Sequence, residues 1–242
     1  MIKRLLATFL LLAALTACGT TPSAVGIHLD AALVTPVDVT LTWHDDGPAP
    51  AGHVVEYATH QDGPFTTLGF LPAAQTSYRH QNLMPHTTFY YRVRPYYGPA
   101  SDSVDVTLPP GAYDDAAHAD DQAWAAPTTD PARTRATQAI RRPATATSGA
   151  PTDLTAIVMN DNGVRLTWVD NARDEDGYLM EIKAADAEDF QVVQVMDPRV
   201  NSCGVATLPD EKRAAYRVRA FYYGGPSTIA HATTGDSSTG PA

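Results

Sequence analysis

The stretch YYRVRPYYGPAS, from Tyr90 to Ser101, returns later in the chain as YRVRAFYYGGPS, from Tyr216 to Ser227. Both copies contain Tyr-Arg-Val-Arg, a run of aromatic residues, and a turn built from Gly and Pro. A shift of 125 residues superimposes the first Tyr-Arg-Val-Arg on the second. A strand-like pattern that recurs at a fixed distance indicates that a longer part of the chain is duplicated.

The same shift brings much more of the chain into register. The tripeptide Leu-Thr-Trp at 41–43 coincides with the one at 166–168. Other coincident pairs are Leu29 and Leu154, Val39 and Val164, Gly52 and Gly177, Glu56 and Glu181, Phe65 and Phe190, and Leu83 and Leu208. We therefore predict two repeat units as domains, residues 26–108 and residues 150–234.

Each unit consists of short runs that have the character of strands. VDVTLTW at 37–43 and GVRLTW at 163–168 alternate apolar with polar residues, which is typical of a half-buried strand. Other β-rich runs are bounded by Gly, Pro or Asp, and about seven such runs in each unit indicate a β-sandwich. The prediction is an all-β fold with two sandwiches.

The segment between the units, residues 109–149, is rich in Ala, Thr, Pro and Asp. Because it has few apolar residues to bury, we expect a disordered linker, and we expect the same of the polar tail at 235–242. Trp124 is the exception in this segment. It is either an accident of a tolerant sequence or a short docking motif.

The order of residues in each unit resembles the fibronectin type III family. The first unit has a strand A Leu, a strand B Trp, and LMPHTTFYYRVRP at 83–95, which resembles the family's corner and strand F. Phe89 and Ala214 replace the family's corner Tyr in the two units. The resemblance implies an immunoglobulin-like sandwich in each unit and a non-enzymatic role.

Strand alternation predicts which residues of each Tyr-Arg-Val-Arg stretch point away from the sandwich core. This outward set is Tyr90, Arg92, Arg94, Tyr96, Arg217, Arg219 and Phe221. In one interpretation, Glu56 and Glu181 on the neighbouring strands form ion pairs with these arginines and keep an exposed sheet soluble. In the other, the set is a binding face with Arg and aromatic anchors for a protein or glycan partner.

The chain begins with the features of a secretory signal. Lys3 and Arg4 precede an apolar run from Leu5 to Leu15, which is shorter than the roughly 20 residues of a membrane-spanning helix. The following tetrad, Leu-Thr-Ala-Cys ending at Cys18, resembles the bacterial lipobox. This implies a signal peptide at 1–17 and lipidation of Cys18, with an ordinary signal peptide as the alternative.

The lipobox resemblance implies a location in the cell envelope. Residues 18–25 would form a lipidated tether, and the absence of Asp after Cys18 favours the outer membrane. Cys203 would then be the second of two cysteines without a partner for an internal disulfide. It is either a buried small residue or a reactive thiol.

The charge balance excludes some classes of partner. The whole chain has a net charge of −10, and loss of Lys3 and Arg4 with the signal peptide would leave 15 basic against 27 acidic residues. This surplus of acid argues against nucleic acid and against a polybasic membrane surface. Attachment to the membrane would therefore depend on the N-terminal lipid.

No constellation of residues indicates catalysis or a cofactor. The loop DNARDEDG at 170–177 fails as a calcium loop, because Ala172 and Lys183 stand at two ligand positions, so we expect a solvated loop. Six of the eight histidines lie in the first unit, at opposite poles of the expected sandwich, so we expect no metal site. The pair His44-Asp45 lacks a nucleophile motif, and we expect no enzyme activity.

The sequence thus predicts a lipid-anchored, non-enzymatic protein of the cell envelope. Its modules would bind a protein or glycan partner. The alternative is a structural spacer or an accessory subunit of an envelope complex, and a hydrolase is much less favoured.

Overall fold

The computed structural model describes residues 26–110, 123–208 and 211–236. The predicted signal peptide, Cys18 and the rest of the tether lie outside the described residues, as do residues 111–122 of the linker and the end of the tail. The described ranges form strands and two short 3₁₀ turns. No helix within them is long and apolar enough to cross a membrane.

The first unit contributes seven strands. They are β1 (Ile27–Thr35), β2 (Asp38–Asp45), β3 (Gly52–Ala58), β4 (Thr66–Pro72), β5 (Ser77–His80), β6 (Thr88–Tyr97) and β7 (Val104–Thr107). Strands β1, β2 and β5 form one antiparallel sheet, in that order. Strands β4, β3 and β6 belong to a larger sheet.

The linker and the second unit contribute eight strands. They are β8 (Thr134–Gln138), β9 (Thr152–Asn160), β10 (Gly163–Ala172), β11 (Gly177–Ala184), β12 (Gln191–Met196), β13 (Ser202–Ala206), β14 (Arg213–Tyr223) and β15 (Ala230–Thr233). Strand β10 pairs with β9, β13 and β8. Strands β12, β11 and β14 belong to the larger sheet.

Each unit has its own hydrophobic core between two sheets. In the first, Trp43 and Leu41 of β2 pack with Tyr91 and Val93 of β6. In the second, the core is built around the fully buried Trp168 of β10. These side chains occupy alternate positions on their strands, as period-two alternation requires. The prediction of an all-β fold with two sandwiches is confirmed.

The two units exchange their last strands. Strand β7, at the end of the first repeat, pairs with β14 of the second unit. Strand β15, at the end of the second repeat, pairs with β6 of the first unit. The predicted domain boundaries, 26–108 and 150–234, therefore delimit the sequence repeat but not the two sandwiches, because each sandwich is completed by a strand of the other repeat.

The two crossings between the units are equivalent in their hydrogen bonds. The backbone N–H of Val93 donates to Ser227 Oγ (3.0 Å), and that of Val218 donates to Ser101 Oγ (3.1 Å). Ser227 and Ser101 in turn donate their own N–H groups to the carbonyls of Val93 and Val218, both at 2.8 Å. At Gly98, with φ +126°, a Cβ would collide with the carbonyl oxygen of Ala220, so glycine is needed where the chain crosses.

The described part of the linker is ordered and packs on the second sandwich. Strand β8 runs parallel to the end of β10, and Ile140 is buried in the second core. Asn201 is fully buried and binds the turn at Asp130 through both ends of its side-chain amide. Its Oδ1 accepts the N–H of Asp130 at 2.7 Å, and its Nδ2 donates to the carbonyl of Asp130 at 2.9 Å. The prediction of a disordered linker is wrong for residues 123–149, because this segment finds partners on the second unit.

Trp124 anchors the beginning of this segment. Its side chain is buried against Gly163 and Gly204, where a Cβ at either glycine would collide with the indole ring. Thr128 then pairs with Ser202 of β13. The docking interpretation of Trp124 is therefore correct, and its binding site lies within the same chain.

Candidate functional site

The two aromatic residues of the predicted binding face are buried. Tyr96 is 2% exposed and Phe221 is 1% exposed. They pack with Val54 and Leu179 in a third cluster, which we call the inter-unit core. The prediction that Tyr96 and Phe221 point to solvent is wrong, because the outward face of each unit is covered by that of the other.

The inter-unit core is built from aromatic edges and faces. The ring of Phe221 lies 5.1 Å from that of Tyr223, 6.0 Å from that of Phe70 and 6.4 Å from that of Tyr96, all nearly perpendicular. Such edge-to-face pairs stabilise a core beyond the area that they bury. Burial raises the pKa of Tyr96 to about 12, so its hydroxyl stays protonated.

The backbone closes the junction beside this core. Tyr222 and Tyr223 at the end of β14 pair antiparallel with Tyr97 and Tyr96 at the end of β6. This pairing joins the larger sheets of the two units into one sheet of eight strands. The part of the predicted binding face that contains Tyr96 and Phe221 is thus an internal joint.

Two arginines of the predicted face form the expected ion pairs. Arg92 Nε donates to Glu56 Oε2 at 2.6 Å, and Arg217 donates to Glu181 in the same way. In both units the two residues are direct partners on adjacent strands. The predicted ion pairs at these positions are confirmed, but both glutamates are buried and do not lie on an exposed sheet.

Each of these arginines also stacks on a phenylalanine. Arg92 lies 4.2 Å from the ring centre of Phe65, and Arg217 lies 3.9 Å from that of Phe190. The two phenylalanines are equivalent in the repeat. We call these pairs the Arg–Phe stacks. The arginine side chains are 26% and 28% exposed, so they remain in reach of a partner.

The other two arginines hold the units together. Arg219 donates to Glu181 Oε1 and to the carbonyl of Gly98, both at 2.7 Å. Arg94 lies 4.3 Å from the ring centre of Tyr223 and donates to the carbonyl of Gly224 at 3.4 Å. Each of these two guanidinium groups therefore binds a backbone carbonyl in the segment by which the other repeat crosses between the units.

The last residue of the predicted face is partly exposed. The ring of Tyr90 lies 5.9 Å from that of His231 on the exchanged strand β15. Beside the second Arg–Phe stack, an open cleft of about 300 Å³ is lined by both units, with Pro72 and Tyr96 on one side and Glu188 and Phe190 on the other. The structure thus leaves the two stacks, Tyr90 and this cleft at the surface.

Carboxylates of the acidic loop at 170–177 bind other parts of the protein. Asp174 Oδ1 accepts the N–H of Ile140 at 2.7 Å, and Asp176 Oδ2 accepts that of Tyr223 at 2.9 Å. Arg141 forms an ion pair with Asp176. The expectation of a solvated loop is therefore wrong for Asp174 and Asp176, which fasten the linker segment and the junction.

The first residue of this stretch, Asp170, is a buried acid near the end of β10. Asp170 is fully buried and accepts a hydrogen bond from the hydroxyl of Tyr178. Burial raises the pKa of Asp170, and burial likewise raises the pKa of Glu175 nearby in the loop. Sequence analysis did not single out Asp170, because an acid at the start of a polar loop gives no sign of being enclosed.

The histidines near Asp45 and Asp46 belong to two separate groups. Asp45 Oδ2 lies 3.1 Å from Nε2 of the buried His53, whereas His44 Nε2 lies 2.8 Å from Asp46 Oδ1. His28 approaches the same Asp46 at 3.6 Å. The neighbours His44 and Asp45 thus have different partners on different faces of β2.

Cys203 lies in the second core. It is fully buried, and burial raises the pKa of its thiol to about 12. A thiol that stays protonated at neutral pH is a poor nucleophile. The interpretation of Cys203 as a buried small residue is therefore correct.

Comparisons with known proteins show limited similarity. No family model matches the sequence, and no curated protein matches it. A segment of two fibronectin type III domains from chicken tenascin is 12% identical, with a TM-score of 0.26 over 86% of this chain and 98% of that one. A redesigned β-sandwich protein is 25% identical over 29% of this chain and 71% of that one, also with a TM-score of 0.26. At these TM-scores the fold assignment rests on the strand pairing above.

Proposed function

We propose that this protein is a non-enzymatic, lipid-anchored structural component of the cell envelope. In this role the two sandwiches act as one rigid body that keeps two parts of an envelope complex at a set distance. The observation that carries the proposal is the burial of Tyr96 and Phe221 in the inter-unit core. Aromatic anchors that face each other within the chain serve rigidity rather than recognition.

Several contacts support a rigid joint. Domains in one chain move relative to each other unless their interface is large and apolar. Here the interface combines an aromatic core, two exchanged strands, and the cross-unit contacts of Arg94 and Arg219. A hinge between the units would have to break all of these together.

The proposed anchor would act on the middle of this body. Gly26, the first described residue, accepts a hydrogen bond from the N–H of Asp46 at 3.3 Å. It lines a surface pocket together with Tyr97 of the first unit and Pro226 of the second. A lipid on Cys18 would therefore hold both units near the membrane, which we propose to be the outer membrane.

A second candidate function is the binding of a protein or glycan partner. The Arg–Phe stacks favour it, because they occur at equivalent positions in both units and their arginines are about a quarter exposed. Arginine and aromatic side chains are the residues that dominate protein interfaces. The cleft between Tyr96 and Phe190 adds a concave surface beside one stack.

Two variants in the native host separate the candidates. Tyr96→Ala/Phe221→Ala loosens the inter-unit core, whereas Phe65→Ala/Phe190→Ala removes the stacks and leaves both Glu–Arg pairs. A structural role in the envelope predicts that a deletion strain is more sensitive to detergent. We expect that complementation with the first variant does not restore detergent resistance, and that complementation with the second does. Abundance and circular dichroism of both variants serve as controls. Loss with the stack variant alone would favour partner binding and overturn the structural role.

The anchor has its own test. Cys18→Ser should release the protein from the membrane fraction, whereas the matched control Cys203→Ala should leave it there. Mass spectrometry of the N-terminal peptide of the native protein should show acyl chains on Cys18. Membrane retention of Cys18→Ser would contradict lipid anchoring and would leave the structural proposal to the first experiment.

A further inference from the structure

The two exchanged strands differ in side-chain size at equivalent positions. Strand β7 brings Val104, Val106 and then Leu108 to the second core. Strand β15 brings Ala230 and Ala232 to the first core, followed by Thr234. One strand is therefore bulky and apolar, and the other is small.

The strands that receive them differ in the opposite sense. Phe89 of β6 faces Ala232, and the equivalent residue of β14, Ala214, faces Val106. All four side chains are buried, at 9% exposure or less. In both sandwiches, a large residue is thus paired with a small one across the strands.

We propose that the pairs Phe89–Ala232 and Ala214–Val106 select the exchanged arrangement over one in which each unit keeps its own last strand. In the unexchanged arrangement, Phe89 would face Val106, and Ala214 would face Ala232. The first pair would overfill a core that is already close-packed, and the second would leave a cavity. Both errors disappear when the strands are exchanged.

Neighbouring positions show that the selection is local. The next inward residues of the receiving strands are Tyr91 and Tyr216, which are identical and so cannot discriminate between β7 and β15. Thr234 contributes in the same direction as the selecting pairs. Its hydroxyl accepts the N–H of Thr87 at 2.9 Å and donates to the carbonyl of Met84 at 2.6 Å. Leu108, the equivalent residue directly after β7, could make neither bond.

The crossing segments are compatible with exchange. Each contains Gly-Pro, with Pro99 in the first crossing and Pro226 in the second. In the first crossing the residue before the proline, Gly98, has φ +126°, which glycine adopts without strain. The proline ring fixes its own φ and so limits the conformations that a crossing segment can adopt.

A competition between cysteines measures which strand is present. The hydroxyls of Thr88 and Thr233 are 2.9 Å apart in the exchanged arrangement. In the unexchanged arrangement, Thr88 would instead face Thr107, which here faces Arg213. In the full chain with Thr88→Cys, Thr107→Cys and Thr233→Cys, peptide mapping after mild oxidation should find the 88–233 disulfide.

Swapping the donor side chains should reverse this choice. Val106→Ala/Ala232→Val in the three-cysteine chain makes the unexchanged arrangement the complementary one. We expect the ratio of 88–233 to 88–107 disulfide to fall about tenfold or more. The swap on the receiving strands, Phe89→Ala/Ala214→Phe, should have the same effect. The combination of both swaps should restore the original ratio.

The combined variant keeps the test decisive if a single swap does not fold. Misfolding of both single swaps with a folded, exchanged combination would support complementary volumes as the selecting feature. An unchanged ratio in either folded swap would overturn the proposal and assign the choice to the crossing segments. A combined variant that fails to restore the ratio would overturn it as well.

Discussion

The two units have equivalent strands, but the side chains at two equivalent positions differ. In the first unit, Asp38 and Arg79 form an ion pair at 2.7 Å across β2 and β5. The N–H of Asn82 and this Arg79 lower the pKa of Asp38. The equivalent residues of the second unit are Gly163 and Gly204, and the indole ring of Trp124 lies there. The second unit lacks both side chains, and the space beside its two glycines holds the indole ring of the linker.

At another equivalent position, both units have a hydrogen bond to an aspartate, but the partner residue differs. Asp45 and Asp170 are equivalent, and both form hydrogen bonds to the residue eight positions later, which is His53 in one unit and Tyr178 in the other. In both units this partner packs on the strand β2 or β10 tryptophan, with ring centres 5.7 Å apart. Both units therefore have a polar contact at this position, with a different partner in each.

The largest expected effect is at the joint that the two units share. Phe221→Ala removes a ring that is 1% exposed and should lower the free energy of unfolding by about 3–5 kcal/mol. Because the exchanged strands couple the units, calorimetry should show one transition for the native protein, and that transition should move as a whole. The matched control Tyr90→Ala should cost much less. Two separate transitions in the native protein would contradict a coupled structure.

The buried glutamates offer a sharper comparison of the units. Glu181 binds both Arg217 and Arg219, whereas Glu56 has an ion pair with Arg92. Glu181→Gln should therefore lower the free energy of unfolding by about 2–3 kcal/mol, since it leaves two guanidinium groups near a neutral side chain. Glu56→Gln should cost roughly half of that. Urea titrations of the two variants measure the difference, and equal losses would contradict the unequal pairing.

The packing of Trp124 against Gly163 and Gly204 gives a prediction about the linker. Trp124→Ala should cost about 2 kcal/mol, because it removes a buried aromatic side chain at one point of contact. Gly204→Arg should release the same segment by collision with the indole ring. In both variants, limited proteolysis should cut within 123–150 faster than in the native protein. Protection equal to that of the native chain would show that Thr128, Asp130 and Ile140 hold the segment without Trp124.

The fold was predictable where its signal is local. The alternation in VDVTLTW and GVRLTW gave the strands, and the repeat doubled the signal. The pairing of Glu56 and Glu181 with the arginines also followed, because strand register places them side by side. Alternation determines which way a side chain points. It does not determine what covers that face, and Tyr96 and Phe221 were misjudged for this reason.

The exchange of strands depends on contacts between distant residues. Backbone hydrogen bonds fit β7 and β15 to either receiving strand, so the choice depends on side-chain volumes that appear when Phe89 is compared with Ala214. The docking of Trp124 left a fainter signal. A glycine within a strand, such as Gly204, often marks the close approach of another group. Gly204 alone, however, does not identify Trp124 as the approaching group.

The smallest expected effect concerns the buried Asp170 and pH. Burial raises the pKa of Asp170, so the folded protein keeps this proton at a pH where the unfolded chain, with a pKa of about 4, has lost it. This contribution to stability is fully present below the unfolded pKa and is lost as pH rises through the raised value. Asp170→Asn keeps an acceptor for Tyr178 and removes the titration, so it should be more stable than the native protein at pH 7 and equal to it near pH 4. Urea titrations of Asp170→Asn and the native protein between these pH values check this. Parallel curves for Asp170→Asn and the native protein would show that Asp170 is ionised in the folded state.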